Sequence, residues 1–394
     1  ENKVLNVPHL RFPEFSGEWN KYTINDLATV VGGGTPDTTV KSYWGGDIQW
    51  FTPSEIGKNK YVDFSKRTIT RDGLDNSSAK LLPLHTILLS SRATVGECSI
   101  ASNECTTNQG FQSLIAKQCN IDFLYYLIQT KKKDLIRNAC GSTFLEISAN
   151  EIRKIKVAVP VQNEQEQIAK LLSLIDERIA TQNKIIEKLQ SLIKGLVDEL
   201  MTVLLKGKLY PFSSFYIKAG EGGTPTTSVV EYYTEGTIPF IKIEDLSCKY
   251  LTNNKDFITE LGMQKSSAWL IPSKSVIYSN GATIGAISIN EYPVCTKQGI
   301  LGIVPNTNIN VEYLYLLMSS SYFSKEISRI ITEGTMKTAY LKDINHIKCP
   351  LPSMAQQKNI TNLTSSIEEK LSIEQELLRF LNLQKQYLLH MIFI

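Results

Sequence analysis

The sequence lacks the patterns of a metal site, a disulfide framework or a membrane segment. Its seven cysteines are odd in number without Cys-x-x-Cys spacing, and its four histidines are isolated. A zinc cluster is therefore disfavoured, and reduced thiols are expected. No apolar run approaches the roughly 20 residues that cross a bilayer, and the N-terminus shows no signal-sequence pattern. We expect a cytoplasmic chain that binds neither a metal nor a membrane.

Motifs of catalysis are also missing. The glycine-rich segment 32–36 has neither the Lys-Ser/Thr pair of a phosphate-binding P-loop nor a GxGxxG pattern that opens a helix. No Ser-His-Asp order, carboxylate cluster or Asn-Pro-Pro-Tyr tetrapeptide of adenine methyltransferases is present. The net charge of +3 neither indicates nor excludes nucleic acid. We predict no catalytic residue and no cofactor in this chain, and we interpret the glycine segment mainly as a tight turn whose amides could still bind a DNA phosphate.

One sequence pattern occurs twice in the chain. Gly-Gly-Thr-Pro stands at residues 33–36 and again at 222–225, a spacing of 189 residues. The segment 90–96 pairs with 279–285 at the same spacing. This period is far longer than the ~20–50 residues of a solenoid repeat. It indicates a duplicated domain, and two diverged copies of one domain suit a partner that itself has two parts.

Each copy ends in a proline that is followed by a long helical pattern. Asn163 with Glu166 resembles a capping box at the first helix start, and Ser353 with Gln356 does so at the second. The first pattern runs from about 164 to 206, which gives a helix roughly 60 Å long at ~1.5 Å per residue. Such a helix has to bury its apolar stripe against more than one small domain.

The apolar positions of both helical patterns alternate steps of four and three, which is typical of a coiled-coil seam. Gln182 and Glu374 are polar residues at the same place in the two seams and are expected to fix their alignment. We predict an antiparallel coiled coil with pseudo-two-fold symmetry; the alternative is that each helix packs separately on its own domain. The predicted seam residues are Ile168, Leu172, Ile175, Ile179, Gln182, Ile186, Leu189, Ile360, Ile367, Leu371, Glu374, Leu378 and Leu381.

The repeats combine short β-rich runs with one recurring helical stretch. The runs include 47–52 and 86–90 in the first copy, and 237–243 and 275–279 in the second. The helical stretches start at Ile121 and Val311. We therefore predict an α+β fold with two repeated globular domains, each followed by a long helix. The predicted boundaries are 1–160 and 208–352 for the domains and 161–207 and 353–394 for the helices.

Several motifs together carry a family resemblance. They are Leu-Arg-Phe-Pro-Glu-Phe at 10–15, the paired Gly-Gly-Thr-Pro, Asn-Gln-Gly-Phe at 108–111, Gly-Ser-Thr-Phe from Gly141, and a proline followed by Glu164-Gln165 at the first helix start. In these motifs the chain resembles the specificity subunit of a type I restriction–modification system over essentially its whole length. The second helix start departs from the pattern with Gln356-Gln357, so the two starts need not make identical partner contacts.

The resemblance implies a function and a set of partners. It implies two target-recognition domains that bind double-stranded DNA with a bipartite target. It also implies two methyltransferase subunits bound to one specificity subunit, with restriction subunits added to make the nuclease. S-adenosylmethionine and ATP would then belong to those partner subunits, and this chain would be non-catalytic.

Comparison of the two copies separates residues that maintain the shared fold from residues that are candidates for contacting DNA bases. Residues identical in both copies are expected to serve the shared fold, whereas differing polar residues are candidates for reading different half-sites. Arg and Lys suit guanine, and Asn and Gln suit adenine; Arg92, beside small hydroxyl residues and a glycine turn, is the preferred reader. With the two glycine-loop threonines, the predicted DNA-binding residues are Thr35, Lys41, Gln49, Thr52, Ser91, Arg92, Asn108, Thr224, Lys242, Asn280 and Lys297.

Two other functions remain open at the level of sequence. The first is an enzyme in which specificity domains are fused to a methyltransferase or nuclease, and the missing cofactor motif argues against it. The second is a coiled-coil scaffold that binds only proteins. Methylation and DNA-binding assays on the purified chain would separate these alternatives from a DNA-recognition subunit.

Overall fold

The computed structural model describes residues 6–141, 145–281, 283–331 and 337–394. These divide into unit 1, Glu1–Asn183 with Glu376–Ile394, and unit 2, Lys184–Gln375. The division differs from the four segments predicted from the sequence, because each unit takes part of both long helices. Apart from Gly141, the Gly-Ser-Thr-Phe motif lies outside the described residues.

Unit 1 contains three β-sheets. A five-stranded sheet has the order β2-β9-β6-β7-β4, a three-stranded sheet the order β5-β3-β8, and a two-stranded ribbon pairs β1 with β10. The strands are β1 (Asn20–Thr23), β2 (Ala28–Gly32), β3 (Trp44–Phe51), β4 (Tyr61–Val62), β5 (Arg67–Ile69), β6 (Ile87–Leu89), β7 (Cys98–Ala101), β8 (Cys105–Thr107), β9 (Gln112–Ala116) and β10 (Lys156–Val159). The helices are α1 (Ile24–Leu27), α2 (Arg71–Asp75), α3 (Ile121–Thr130), α4 (Lys132–Arg137), α5 (Ala149–Lys154) and α6 (Gln162–Leu204), of which α6 continues into unit 2.

Unit 2 repeats the three sheets in the same arrangement. Its five-stranded sheet has the order β12-β19-β16-β17-β14, its three-stranded sheet the order β15-β13-β18, and its ribbon pairs β11 with β20. The strands are β11 (Leu209–Pro211), β12 (Tyr216–Glu221), β13 (Ile238–Ile241), β14 (Tyr250–Leu251), β15 (Asp256–Ile258), β16 (Val276–Ser279), β17 (Ile287–Asn290), β18 (Cys295–Thr296), β19 (Ile300–Pro305) and β20 (Lys348–Pro350). The helices are α7 (Glu260–Gln264), α8 (Val311–Ser319), α9 (Ser321–Ile330), α10 (Leu341–Ile344) and α11 (Met354–Ile392), of which α11 continues into unit 1.

The core of each unit lies between its five-stranded sheet and the recurring helix. In β6 all three residues are fully buried, which explains why this strand is a continuous apolar run rather than an alternating pattern. Helix α3 buries six consecutive residues from Phe123 to Ile128, and α8 buries all of their counterparts in unit 2 except the half-buried Tyr315. Asn120 and Asn310 cap these helices by accepting hydrogen bonds from backbone amides. The predicted α+β fold with two repeated domains is thus confirmed.

The long helices agree with the predicted ranges, apart from one cap. Helix α6 has 43 residues and α11 has 39. Ser353 caps α11, and its amide donates to the Gln356 side chain. The predicted cap at Asn163 is wrong, because α6 already begins at Gln162; the amides of Glu164 and Gln165 donate to the carbonyl of Val161 instead.

Within unit 1, the first part of α6 and the last part of α11 run antiparallel. Trp19 bridges their outer ends, since its indole donates to Glu164 and packs edge-on against Phe393. Three turns further along α6, Asp176 forms an ion pair with Lys385 at 2.7 Å. In unit 2, Val197 and Met201 of α6 share an apolar core with Ile360 of α11. Every predicted seam residue is buried or half-buried.

The glutamate and glutamine of the first helix start make intramolecular contacts. Glu164 is fully buried and forms a two-pronged ion pair with Arg11, both bonds being 2.8 Å. Gln165 accepts from the amide of Asn120, and Gln357 accepts equivalently from the amide of Asn310. The glutamine therefore holds the core helix in both copies, whereas the glutamate anchors the N-terminal segment in unit 1. This accounts for the departure of the second helix start from the motif.

A lysine anchors the sheet of each unit to the long helices at equivalent positions. In unit 1, Lys60 binds Asp122 and the hydroxyl of Ser173, each at 2.7 Å. In unit 2, Lys249 binds Glu312 and Glu368. Because the lysine makes this contact in both units although the acceptor residues differ, the shared fold determines the position of the lysine. Among the described residues, no helix is long and apolar enough to span a membrane.

Candidate nucleic-acid interface

In unit 1, several predicted DNA-binding residues lie around the turn that follows β8. The amide of Asn108 donates to the carbonyl of Phe51 at 3.0 Å, directly before Thr52. The neighbouring Gln109 is hydrogen-bonded to the hydroxyl of Thr35. Gly110 accepts from the amide of Ser91 at 2.9 Å, directly before Arg92. We call Thr35, Thr52, Ser91, Arg92 and Asn108 the first loop cluster.

The Gly-Gly-Thr-Pro loop is clamped into this cluster by close backbone contacts. A Cβ atom on Gly33 would lie 2.0 Å from the carbonyl oxygen of Asn108, and one on Gly34 would lie 2.3 Å from the amide nitrogen of Ala79. The amide of Gly34 donates to Thr107 at 2.8 Å, and its carbonyl accepts from the Trp50 indole at 2.9 Å. The glycines are therefore required for packing, and the amide of Gly34 is already used within the chain.

Unit 2 places its predicted residues in the same way. The amide of Lys297 donates to the carbonyl of Ile241 at 3.0 Å, directly before Lys242. Thr224 accepts from the amide of Gln298, and the amide of Asn280 donates to Gly299. We call Thr224, Lys242, Asn280 and Lys297 the second loop cluster. Thr52 and Lys242 thus occupy equivalent positions, as do Asn108 and Lys297.

Two charged residues of the clusters are held by an acidic partner: Arg92 is exposed and Lys242 is half-buried. The Nε and Nη2 atoms of Arg92 donate to Glu146 at 3.0 and 2.7 Å, and both side chains are about half exposed. Lys242 forms an ion pair with Asp256 at 2.8 Å. The hydrogen bond to the Asp256 carboxylate raises the pKa of Lys242 above its usual value, because it favours the charged ammonium form. Both cations are oriented before any ligand binds.

Four of the predicted DNA-binding residues have other tasks in the structure. Ser91 and Asn280 are fully buried, so neither side chain is accessible to a base in this structure. The amide of Ser91 donates to the carbonyl of Gly110, and the side chain of Asn280 donates to the carbonyl of Ala339. Gln49 accepts hydrogen bonds from Ser65 and fixes the following loop. Thr52 donates to the carboxylate of Glu55 and caps a short helical turn.

The remaining predicted residues differ in their distance from the clusters. Lys297 is exposed on the turn of the second loop cluster, and Asn108 is half-buried in the first. Lys41 is exposed, but it lies on a separate 3-10 turn, Lys41–Tyr43, that precedes β3. Thr35 and Thr224 are half-buried at matching places in the two glycine loops.

The sequence comparison missed a cation on an aromatic platform beside the first loop cluster. The guanidinium carbon of Arg67 lies 3.6 Å from the ring centre of Trp44, and Trp44 packs edge-on against Trp50. Arg67 is exposed. Its counterpart in the other copy is Asp256 at the start of β15. A change of charge sign at one position of the repeat is the signal that could have identified it.

The outer face of α11 carries an apolar stripe that the described part of the chain leaves exposed. The stripe consists of large side chains between 42% and 60% exposed. Their spacing of three or four residues places them on one side of the helix, away from the predicted seam. The stripe residues are Ile373, Leu377, Phe380, Leu383 and Tyr387. Apolar patches of this kind mark surfaces that contact another protein.

Comparison with known families gives one consistent match. The sequence model of the type I restriction modification DNA specificity domain matches residues 16–191 and again 215–382. The MjaIX specificity subunit of Methanocaldococcus jannaschii is 29% identical over 382 residues, which cover 90% of this chain and 88% of that protein. The EcoR124I/EcoR124II specificity subunit of Escherichia coli is 29% identical over 175 residues, 42% of this chain and 43% of that protein.

Two solved structures share the fold. One is the S subunit of a type I restriction-modification system from M. genitalium, with a TM-score of 0.55, 19% identity and coverage of 98% of this chain and 99% of that chain. The other comes from a structural study of complex assembly and conformational transition in a type I R-M system. It has a TM-score of 0.56 and 14% identity, covering 94% of this chain and 96% of that chain.

Proposed function

The chain belongs to the type I restriction-modification DNA specificity family, and from this premise we propose that each of its two units reads one half of a split DNA target. As a member of this family, it is the specificity subunit of its system and carries two target-recognition domains. Such a subunit recognises DNA and leaves catalysis to the methyltransferase and restriction subunits with which it acts. The finer features below are proposals for this chain.

The observation that carries the proposal is one scaffold with two sets of side chains. In unit 1, backbone hydrogen bonds connect the Gly-Gly-Thr-Pro loop to the end of β8, and the end of β3 to the turn that follows β8. The same hydrogen bonds recur in unit 2, where β18 replaces β8 and β13 replaces β3. On this common frame, Thr52 and Asn108 in unit 1 are replaced by Lys242 and Lys297 in unit 2. Identical frames with different polar groups suit two half-sites of different sequence.

The polar groups also suit the chemistry of DNA. Exposed arginine and lysine side chains bind phosphates and read guanine in the major groove. Arg92 is an exposed cation held in place by Glu146, and Lys242 is a half-buried cation held by Asp256. A side chain that is oriented before binding loses less conformational entropy when it contacts a base. We infer that these two residues are the principal readers of their half-sites.

The partner subunits are proposed to bind the long helices rather than the loop clusters. Two copies of one methyltransferase subunit must meet features that both halves of the chain share, and the loop clusters are where the copies differ. On α11 the apolar stripe, which includes Phe380, is exposed, and the guanidinium of Arg379 lies 5.1 Å from the centre of the Phe380 ring; exposed aromatic and arginine side chains are typical of protein-binding faces. S-adenosylmethionine and, with the restriction subunits, ATP would be bound by those partners.

A selection experiment tests the proposed function. The full-length chain, alone and together with its methyltransferase subunits, is incubated with a library of random duplex DNA, and the bound molecules are sequenced. We expect two short base patterns at a fixed separation. A single continuous pattern would contradict two-part reading, and no enrichment at all would favour a protein scaffold. Methylation of DNA by the purified chain alone would instead support a fused enzyme.

A further inference from the structure

Phe64 is exposed to an unusual degree for an aromatic residue. Its side chain is 79% accessible to solvent, and among the described residues no other large apolar side chain is more exposed. It lies in a four-residue loop, 63–66, which connects β4 to β5 in unit 1. A phenylalanine in this position contributes nothing to the core, and its exposure to water is unfavourable. Such exposure marks a contact surface.

The loop that carries Phe64 is rigidly anchored. Ser65 donates from its amide to Gln49 at 2.7 Å, and its hydroxyl accepts from the amide of Trp50 at 2.9 Å. The amide of Lys66 donates to Glu55 at 2.6 Å. Before Phe64, the carbonyl of Asp63 accepts from the side chain of Asn103, so the loop is held on both sides of Phe64. A ring presented in this way loses little conformational entropy on contacting a ligand.

The same contacts connect the loop to the first loop cluster. Glu55 accepts from Lys66 with one carboxylate oxygen and from the amide and hydroxyl of Thr52 with the other. Phe64 is thus two residues from a position fixed directly against the candidate DNA-binding surface. Continuity with that surface identifies duplex DNA as the ligand in preference to a protein.

The charges beside Phe64 are also suited to DNA. Lys66 and Arg67 are exposed, and Asp63 is the one acidic residue of the loop. The amide of Asn103 holds Asp63 by its backbone carbonyl. Two adjacent cations can bind the phosphates on either side of a base. An exposed apolar ring close in the chain to phosphate-binding groups suits contact with a thymine methyl group or entry into a base step.

Unit 2 lacks this feature, although its loop has the same length. Residues 252–255 connect β14 to β15, and Asn253 stands where unit 1 has Phe64. The loop is held differently: Asn254 accepts from the hydroxyl of Tyr292, and Pro239 replaces the Gln49 anchor. The exposed aromatic ring is therefore particular to the first half of the chain.

We propose that Phe64 is a specificity-determining residue of unit 1 that makes an apolar contact with a base of the first half-site, while Lys66 and Arg67 bind the flanking phosphates. This inference rests on the proposed function and names one further residue that performs it. The contact predicts a preference at a single base position of the first half-site.

Selection from a duplex library by the full-length chain with its methyltransferase subunits tests the inference. Wild type is compared with Phe64→Ala, with Phe64→Leu, and with Leu84→Ala, a control that removes another exposed apolar side chain of unit 1. Phe64→Ala is expected to weaken binding to the selected target about tenfold to a hundredfold. It should also flatten the preference at one position of the first half-site, whereas Leu84→Ala should change neither. Phe64→Leu should retain part of the preference.

Modified DNA distinguishes the two kinds of base contact. If the ring touches a thymine methyl group, deoxyuridine at the preferred position should weaken wild type and leave Phe64→Ala unaffected. If the ring enters a base step, 2-aminopurine at that step should fluoresce more strongly with wild type than with Phe64→Ala. The inference is overturned if neither probe distinguishes the two proteins, if Phe64→Ala binds like wild type, or if it loses its methyltransferase subunits instead. A wild-type chain without a split target would reject the proposed function itself.

Discussion

Replacement of Gly33 by alanine should disturb the first loop cluster specifically. The new Cβ would lie 2.0 Å from the carbonyl oxygen of Asn108 and 2.6 Å from that of Thr107, whereas ordinary contacts are about 3.5–4.0 Å. Both obstacles are backbone atoms, so the turn that carries Asn108 has to move by more than 1 Å. Overpacking of this kind costs about 1–3 kcal/mol. In a unit of this size, 1 kcal/mol corresponds to a Tm shift of about 2–4 °C, so unit 1 should melt about 2–12 °C earlier.

The neighbouring Gly32 provides a matched control. A Cβ on Gly32 would meet only the side chain of Gln112, at 3.6 Å, so Gly32→Ala introduces the same methyl group without a clash. Thermal unfolding followed by circular dichroism measures the stability of both variants. Selection from the duplex library measures the base preference of both variants at each half-site. Gly33→Ala should lose its base preference in the first half-site and keep it in the second.

Unit 2 provides the mirror image of this experiment. A Cβ on Gly222 would lie 2.1 Å from the carbonyl oxygen of Thr296, so Gly222→Ala should affect the second half-site and spare the first. The reasoning is refuted if Gly33→Ala has the same Tm and the same base preference as Gly32→Ala. It is also refuted if either glycine substitution alters both half-sites to the same extent.

Three further substitutions have defined outcomes. Arg92→Ala should weaken discrimination between bases at the first half-site by about 1–3 kcal/mol if Arg92 makes a bidentate base contact. An equal loss of affinity for all DNA sequences, with a shallower salt dependence of binding, would instead indicate a phosphate contact. Lys242→Ala should act in the same way on the second half-site only, as sequencing of the selected duplexes would show. Glu164→Gln removes the buried negative charge that pairs with Arg11 and should destabilise unit 1 by about 3–5 kcal/mol in urea unfolding. A loss below 1 kcal/mol would contradict the assigned role of this ion pair.

The duplication and the long helices could be predicted because they rest on repeated local patterns. The seam spacing, the cap at Ser353 and the recurring helix after Asn120 are each determined by residues close in sequence. The first cap was missed because the helix begins at Gln162, directly after the β10 ribbon, and so needs no side-chain cap at Asn163. The division into two compact units does not follow from local patterns, because it depends on contacts between residues more than 150 positions apart, such as Asp176 with Lys385.

The candidate interface was only partly predictable, for a related reason. Copy-to-copy differences identify Thr52 and Asn108 as variable, and the structure places them together. The same comparison also selects Ser91 and Asn280, because a buried polar residue and an exposed one look alike in sequence. Nothing in the sequence distinguishes Phe64 as an exposed residue, since aromatic residues are usually buried. Its exposure follows from hydrogen bonds that turn the loop outward, and these require the fold.

An exchange of side chains between the loop clusters tests most directly the claim that each unit reads its own half-site. The double substitution Thr52→Lys and Asn108→Lys introduces the lysines of unit 2 into unit 1, at positions that have equivalent backbone hydrogen bonds in the two units. The complex of this variant with its methyltransferase subunits would be incubated with a DNA library in which each half-site varies separately, and the bound DNA would be sequenced. The account predicts an altered base preference in the first half-site and an unchanged second half-site. A change in both half-sites together, or in the second alone, would contradict it.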